Sequence, residues 1–275
     1  MNNARELLLQ VFGPGDWAIE KPQNGRRKEC YIASSRNRKV FVKFDVPIKS
    51  LQRLSDAGFA PRVLASGSYQ GVPYVIQEFL DGVHPDRDWI VAHVGEVANL
   101  MKAYHEDAQL TEILAEEGSL EYRDRLNQDL DQLAMTVERP ESAVPLRAQF
   151  AQLKEMAADF DAVELAPVHN EPNTGNMLVR QEKLMFIDWD EVLLSDPMRD
   201  VGVFLWWYVP LTQWKEFFQR YGAALTSQQE AKIYWFAARA SLVIYLWRME
   251  HGYPDGGFRE DFVAALNVQP NPQLS

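Results

Sequence analysis

The sequence predicts an α+β fold made of a small β-rich N-terminal lobe and a larger, mainly helical C-terminal lobe. Three observations carry this. Short β-type runs fill the first 80 residues. From Trp89 onward apolar residues recur at helical spacing. Between the later helical stretches lies the polar segment His169-Asn-Glu-Pro-Asn-Thr-Gly-Asn176, followed by apolar Met177–Val179, a turn over Arg180–Lys183, and a second run, Leu184-Met-Phe-Ile187, that ends on Asp188. The expected organisation is an N-terminal lobe over 1–80, a C-terminal lobe over 81–268 and a loose tail over 269–275, where Gln269-Pro-Asn-Pro resists regular packing.

In chain order, residues 3–12 read as a short amphipathic helix with Leu7, Leu8, Val11 and Phe12 apolar, stopped by Gly13-Pro14-Gly15. Trp17–Glu20, Glu29–Ala33 and Lys39–Phe44 read as strands; Val40–Phe44 alternates as a half-buried strand does. Ile48–Ala57 reads as a helix ending at Gly58, and Val63–Tyr69 with Val72–Glu78 as a hairpin around Gly71. The character changes near Leu80-Asp-Gly82. Trp89–Asp107, Leu120–Val137, Pro145–Phe160, Leu211–Tyr221 and Ser227–Glu250 read as helices.

The chain has 275 residues, 47% of them hydrophobic and 24% charged, enough to bury a sizeable core. No run approaches the ~18 uncharged apolar residues of a membrane helix, and Met1–Gln10 lacks the apolar core of a signal peptide. No membrane association is expected. Cys30 is the one cysteine, so an internal disulfide is excluded and a cytoplasmic location is the expectation. The net charge of −11 argues against a nucleic-acid partner, which needs clustered Lys and Arg. It is compatible with a small cationic substrate. No His/Cys/Asp group has zinc spacing.

The loop and hairpin carry the chemistry. Glu171 is a carboxylate, Asn176 an amide five residues on, and Asp188 a carboxylate twelve further. A hard cation such as Mg²⁺ takes oxygen ligands and bridges to phosphate. An amide oxygen and a carboxylate supply such ligands, and a second carboxylate can orient a hydroxyl and accept its proton. The stretch resembles the catalytic core of the aminoglycoside phosphotransferase and choline kinase-like small-molecule kinases, relatives of the protein kinases. Their pattern is His-x-Asp-x-x-x-x-Asn, a strand, then Ile-Asp; His169, Asn176 and Ile187-Asp188 match it, with Glu171 where the family has Asp. Ser195-Asp-Pro-Met-Arg-Asp200 resembles the element that follows. The resemblance spans nearly the whole chain and implies a protein kinase-like fold, with ATP and Mg²⁺ as nucleotide and metal.

It further implies that Asn176 and Asp188 bind the metal, that Glu171 is the catalytic acid–base group, that His169 is structural, and that Asp200 ties the loop to a helix. Lys43, between Val42 and Phe44, stands where the lysine that reaches ATP phosphates belongs. Its usual partner, a glutamate on the following helix, is absent: Phe44–Phe59 offers Asp45 and Asp56, and Pro47 falls near the expected position. Gly25 is the one glycine of the expected phosphate-covering loop, which also carries Arg26-Arg27-Lys28. Glu78 and Leu80 resemble the hinge whose backbone meets the base. Asp190 is left open as a contact to a second cation or a bystander, and His105 reads as solvated or capping. The aromatic run Trp206-Trp-Tyr208 with Trp214, Phe217, Phe218, Trp235, Phe236, Tyr245 and Trp247 reads as helix-packing core; alternatively it lines a cation pocket with Glu250, Asp255 or Asp261. The function expected is transfer of the ATP γ-phosphoryl to a hydroxyl of an aminoglycoside, amino alcohol or sugar. A protein acceptor is disfavoured, because Asp-Phe-Gly and Ala-Pro-Glu are missing. The alternative is a catalytically weak relative that binds nucleotide or ligand as a sensor.

Overall fold

The computed structural model describes residues 1–22, 29–118, 122–137, 146–158, 160, 164–271 and 274. It divides into two compact units, Met1–His84 with Gly175–Val192, and Pro85–Thr174 with Leu193–Ser275. In this division the hairpin after Asn176 goes with residues 1–84. The reason is local bonding: Val83 pairs with Val179 in both directions, 3.0 and 2.9 Å, and His84 Nδ1 bonds Met177 O at 2.8 Å.

The first unit begins with α1 (Asn2–Phe12) and a five-stranded antiparallel sheet, β1 (Ala18–Glu20), β2 (Cys30–Ser35), β3 (Arg38–Phe44), β4 (Val63–Tyr69) and β5 (Val72–Glu78), in the order β1-β2-β3-β5-β4. Ala4, Leu7 and Leu8 of α1 join Tyr31, Val40, Val42, Phe44 and Ile76 in one apolar cluster. This is the amphipathic face read from the sequence, and its burial is what holds an 11-residue helix that would be marginal alone. Central β3 does not keep the expected alternation. Val42, Lys43 and Phe44 are all buried, as a strand flanked by β2 and β5 allows. The β4–β5 turn has positive φ at Gln70 (52°) and Gly71 (81°), the pair that matches strand twist in a two-residue hairpin. Helix α2 (Ile48–Asp56) follows β3 with Pro47 as its N-cap.

The second unit is helical, as expected, but divided more finely. The single helix expected over Trp89–Asp107 is two, α3 (Arg87–Ala92) and α4 (Val94–His105). His93 breaks it: its backbone leaves the helical region (φ −119°, ψ 24°) and its ring bonds Trp89 O at 2.7 Å. Asp107 then caps a further helix, α5 (Ala108–Glu116), through Leu110 N at 2.7 Å. Helices α6 (Tyr122–Val137) and α7 (Leu146–Ala158) lie within the expected ranges, whose starts at 120 and 145 lie outside the described residues. A two-stranded pair, β6 (Ala166–Val168) and β9 (Leu193–Ser195), brackets the loop and hairpin. Helices α9 (Leu211–Tyr221) and α10 (Ser227–Glu250) have the expected bounds; Thr226 and Gln229 form a capping box at the start of α10.

Helices α8 (Met198–Tyr208) and α11 (Phe258–Leu266) complete the unit. In α8 every residue from Met198 to Trp206 is buried, so no polar face marks its period. Gly202 brings α8 against α10: a Cβ there would stand 3.0 Å from Ile233 Cα and 3.1 Å from Ile233 O. Gly202→Ala is therefore expected to cost about 1–3 kcal/mol by overpacking, read as a fall of several degrees in Tm. An unchanged melting curve would refute this close approach. Near the C-terminal end Trp206 Nε1 donates to Gln269 O at 3.2 Å, and Asn271 is buried. Among the described residues, no helix is long and apolar enough to cross a membrane.

Candidate functional site

In the first unit the site is built on β3 and on the hairpin β7 (Met177–Arg180) and β8 (Lys183–Phe186). Lys43 is buried, 4% exposed. Its Nζ donates to Asp190 Oδ1 at 2.5 Å and to Asp188 Oδ1 at 3.0 Å. Burial by itself would lower the pKa of this ammonium, but the two carboxylates outweigh it and the net shift is upward. The partner that the sequence did not reveal is thus found after the hairpin and not on α2, where Asp56 bonds Gln52. Asp190, left open from the sequence, is a direct contact of Lys43. Cys30 pairs with Lys43 across the sheet, and burial pushes its thiol pKa up.

Asp188 adopts the left-handed conformation (φ 63°, ψ 52°), uncommon for a residue other than glycine. Its side chain is 54% exposed, against 11% for Asp190. The register Met177↔Phe186 and the bond from Ile187 N to Asn176 O, 2.8 Å, tie the backbone of Asn176 to the residue before Asp188. The side chains of Asn176, Asp188 and Asp190 are an amide and two carboxylates, all of them hard-oxygen donors. Among the described residues, no group of three or more His, Cys, Asp or Glu gathers as a metal cage. Few protein ligands plus substrate phosphates is the arrangement Mg²⁺ uses, so the donor set fits that ion.

In the second unit the loop after β6 is held by its backbone. Asp200, fully buried on α8, accepts from His169 N at 2.6 Å and Asn170 N at 2.8 Å. Tyr104 OH donates to the same carboxylate at 2.8 Å, and His105 Nε2 lies 3.3 Å from it. Burial would raise the pKa of Asp200, but the bond and charge of His105, together with His169, outweigh it and hold the value below the usual one. His105 is therefore a buried member of the loop's support, with Nδ1 2.7 Å from Tyr221 OH, and not a solvated or capping residue. Asn170 has φ 73°, and Arg199 Nε donates to its Oδ1 at 2.5 Å. Arg199 also reaches Asp129 of α6 at 2.9 Å, which Arg239 shares at 2.9 Å. Asp196 caps the start of α8 through Met198 N at 2.9 Å and pairs with buried Lys232 of α10 at 2.5 Å. His169 is wholly buried, and its Nδ1 accepts from Glu171 N at 3.3 Å. Glu171 is exposed; its carbonyl accepts from Asn173 N at 2.8 Å.

The remaining candidates are distributed as follows. Gly25 and the Arg26–Lys28 run lie outside the described residues. Glu78 ends β5; its N–H donates to Arg62 O at 2.8 Å, and its carboxylate faces Arg62 at 3.5 Å and Arg180 at 3.6 Å. The Glu78 N–H is thus committed within the sheet lobe. Leu80 lines a cavity of about 370 Å³ with Leu178, Met185, Arg180, Gln181 and Lys183. Of the aromatic run, Trp206, Trp214, Phe217, Phe218, Trp235 and Phe236 are buried core. Trp207 is partly exposed and donates to Asp261 at 3.2 Å; burial raises the Asp261 pKa. Asp255 caps Arg259 N at 3.1 Å, and Glu250 is exposed at the end of α10.

The phosphotransferase enzyme family model matches residues 36–236. Solved structures of similar architecture include the choline kinase LicA from Streptococcus pneumoniae, with TM-score 0.73 at 15% identity over 97% of this chain and 97% of that one. A choline/ethanolamine kinase family protein from Mesorhizobium loti gives TM-score 0.68 at 15% identity, covering 99% and 96% of the two chains. A spectinomycin phosphotransferase solved with ADP and spectinomycin gives TM-score 0.68 at 13% identity, covering 97% and 96%. At these identities the likeness is one of fold, the protein kinase-like fold that choline kinases and aminoglycoside phosphotransferases share. The family match spans well over half of the chain and includes Lys43, Glu171, Asn176, Asp188, Asp190 and Asp200: the protein belongs to the phosphotransferase enzyme family.

Proposed function

We propose that the protein transfers the γ-phosphoryl of ATP to a hydroxyl of a small molecule, with Mg²⁺ as its metal. The observation that supports this most is the buried Lys43 bonded to Asp188 and Asp190, since a lysine and a carboxylate at these two places are what phosphate and metal binding require. Lys43 binds the α- and β-phosphates. Asn176 and Asp188 would hold the metal, whose positive charge would offset the charge that builds up on the phosphates. Glu78 and Leu80 mark the segment whose backbone meets the base. Glu171 orients the acceptor hydroxyl and takes its proton. The acceptor oxygen bonds the γ-phosphorus, the bond to the bridging oxygen breaks, and ADP leaves. Asp200, by holding His169 N and Asn170 N, fixes the backbone from which Glu171 projects.

The net charge of −11 is compatible with a cationic acceptor such as an aminoglycoside or amino alcohol, and the single cysteine suits a cytoplasmic protein. The test is ATP consumption across aminoglycosides, amino alcohols and sugars, followed by two variants. Glu171→Gln is expected to lose about 10²-fold or more in kcat with nucleotide affinity nearly unchanged. Glu171→Asp is expected to be slower than the native chain, because a shorter arm falls short. Nucleotide binding with no acceptor phosphorylated, and no loss in Glu171→Gln, would instead assign a sensor.

A further inference from the structure

The attachment of Lys43 differs from the arrangement that protein kinases use. A phosphate-binding strand lysine is ordinarily kept in place by a glutamate on the helix that follows. Helix α2 has no acid before Asp56, and that carboxylate is engaged by Gln52. Two other carboxylates reach Nζ, and they are not equivalent. Asp190 is the nearer, at 2.5 Å, and only 11% of its side chain is exposed. Asp188 is at 3.0 Å, is 54% exposed, and follows Ile187, whose N–H is bonded to Asn176 O. We propose that Asp190 is the positioning residue for Lys43, standing in for the missing helix glutamate, while Asp188 is the carboxylate released to the metal. The inference rests on the phosphotransferase reading of Lys43 and Asp188.

A charge count supports the division. One ammonium facing two carboxylates leaves one negative charge over. A cation that draws Asp188 away from Lys43 would strand an ammonium that is 4% exposed, an expensive state, unless a second carboxylate stayed behind. Asp190 is that carboxylate. The turn that carries it is anchored by Trp189, 1% exposed, whose indole N–H donates to Phe186 O at 3.0 Å. Both acids therefore come from one short turn after β8, and the lysine is set by that turn. Its alignment does not depend on where α2 lies, which is the lever that protein kinases use to switch the equivalent pair.

The test compares Asp190→Asn, Asp190→Glu and Asp188→Asn in the full chain, with thermal melts to confirm folding. Three readouts apply: ADP affinity by calorimetry in EDTA, KM for ATP against kcat, and the rate at which an amine-acylating reagent labels Lys43 in ligand-free protein. Asp190→Asn is expected to weaken metal-free ADP binding about tenfold, raise KM for ATP about tenfold, and label Lys43 several-fold faster. Asp190→Glu is expected to fall between it and the native chain. Asp188→Asn is expected to keep metal-free ADP affinity within about threefold while losing the gain from Mg²⁺. The reverse pattern, with Asp188→Asn freeing Lys43 and Asp190→Asn leaving labelling and affinity native, overturns the proposal. If Asp190→Asn does not fold, Asp190→Glu decides: a native KM and native labelling rate overturn it. A native chain that binds no nucleotide sinks the phosphotransferase reading, and the labelling arm still decides which carboxylate holds Lys43.

Discussion

Asp188→Asn is expected to lower turnover by about 10³-fold or more and to make nucleotide binding independent of Mg²⁺. The substitution keeps size and hydrogen bonding but removes the negative charge that a divalent cation needs, and charge stabilisation is the largest single contribution in phosphoryl transfer. Asparagine is the right probe because position 188 has φ 63°, a conformation that Asn tolerates and Ala does not. Asp188→Ala adds about 1–2 kcal/mol of backbone strain to the chemical loss. The fold should survive Asp188→Asn, since the side chain is 54% exposed and Lys43 keeps Asp190. The measurements are kcat at saturating ATP, ATP affinity with and without Mg²⁺, and a melting curve. A variant with native turnover and native Mg²⁺ dependence removes Asp188 from the metal site.

Asp200→Asn and Asp200→Ala carry the second large effect, through stability and loop geometry together. One buried carboxylate accepts from His169 N, Asn170 N and Tyr104 OH, with His105 at 3.3 Å. Alanine strands those donors, and losing one side of a buried charge-assisted cluster costs about 3–5 kcal/mol. The loop carrying Glu171 loses its anchor, and a displacement of about 1 Å at a reacting centre costs on the order of 10²-fold in rate. The pH dependence follows from the lowered pKa of Asp200, where His105 and His169 outweigh the opposing effect of burial. Folding favours the ionised form. The contribution is therefore fully present above the unfolded value of about 3.9 and is lost as pH falls through the lower folded value. Asp200→Asn should flatten the acid limb of the stability curve below about pH 4. An acid limb as steep as the native one would show that other carboxylates cause it.

The elements legible in the sequence are those whose period or punctuation is local. The β4–β5 hairpin announces itself by Gly71, and α9 by an apolar period that buries Trp214, Phe217 and Phe218. Helix α8 is not legible, because burial on every side erases the polar face that makes a period visible. The break at His93 is invisible for a similar reason: a ring bonding the carbonyl four residues back leaves no Gly or Pro to mark it. At the site, residue types and spacing point to Glu171, Asn176 and Asp188, since a loop, a strand and a turn of set length leave little choice of order.

By itself the sequence determined the two-lobed α+β plan and the family, because periodicity and the motif over 169–188 depend on residue types at short separations; it offered Lys43, Glu171, Asn176 and Asp188 as candidates for phosphate and a hard cation. Only the tertiary structure decided who holds whom. Lys43 and Asp190 are 147 residues apart, and the bond that joins them exists only once β3 and the β7–β8 hairpin share one compact unit. The same is true of His105 and Asp200, 95 residues apart, which meet only when α4 packs in the same unit as α8. Pairing at such distances is chosen by burial: a charge removed from water must find a partner wherever the fold brings one, and that choice leaves no mark on neighbouring residues.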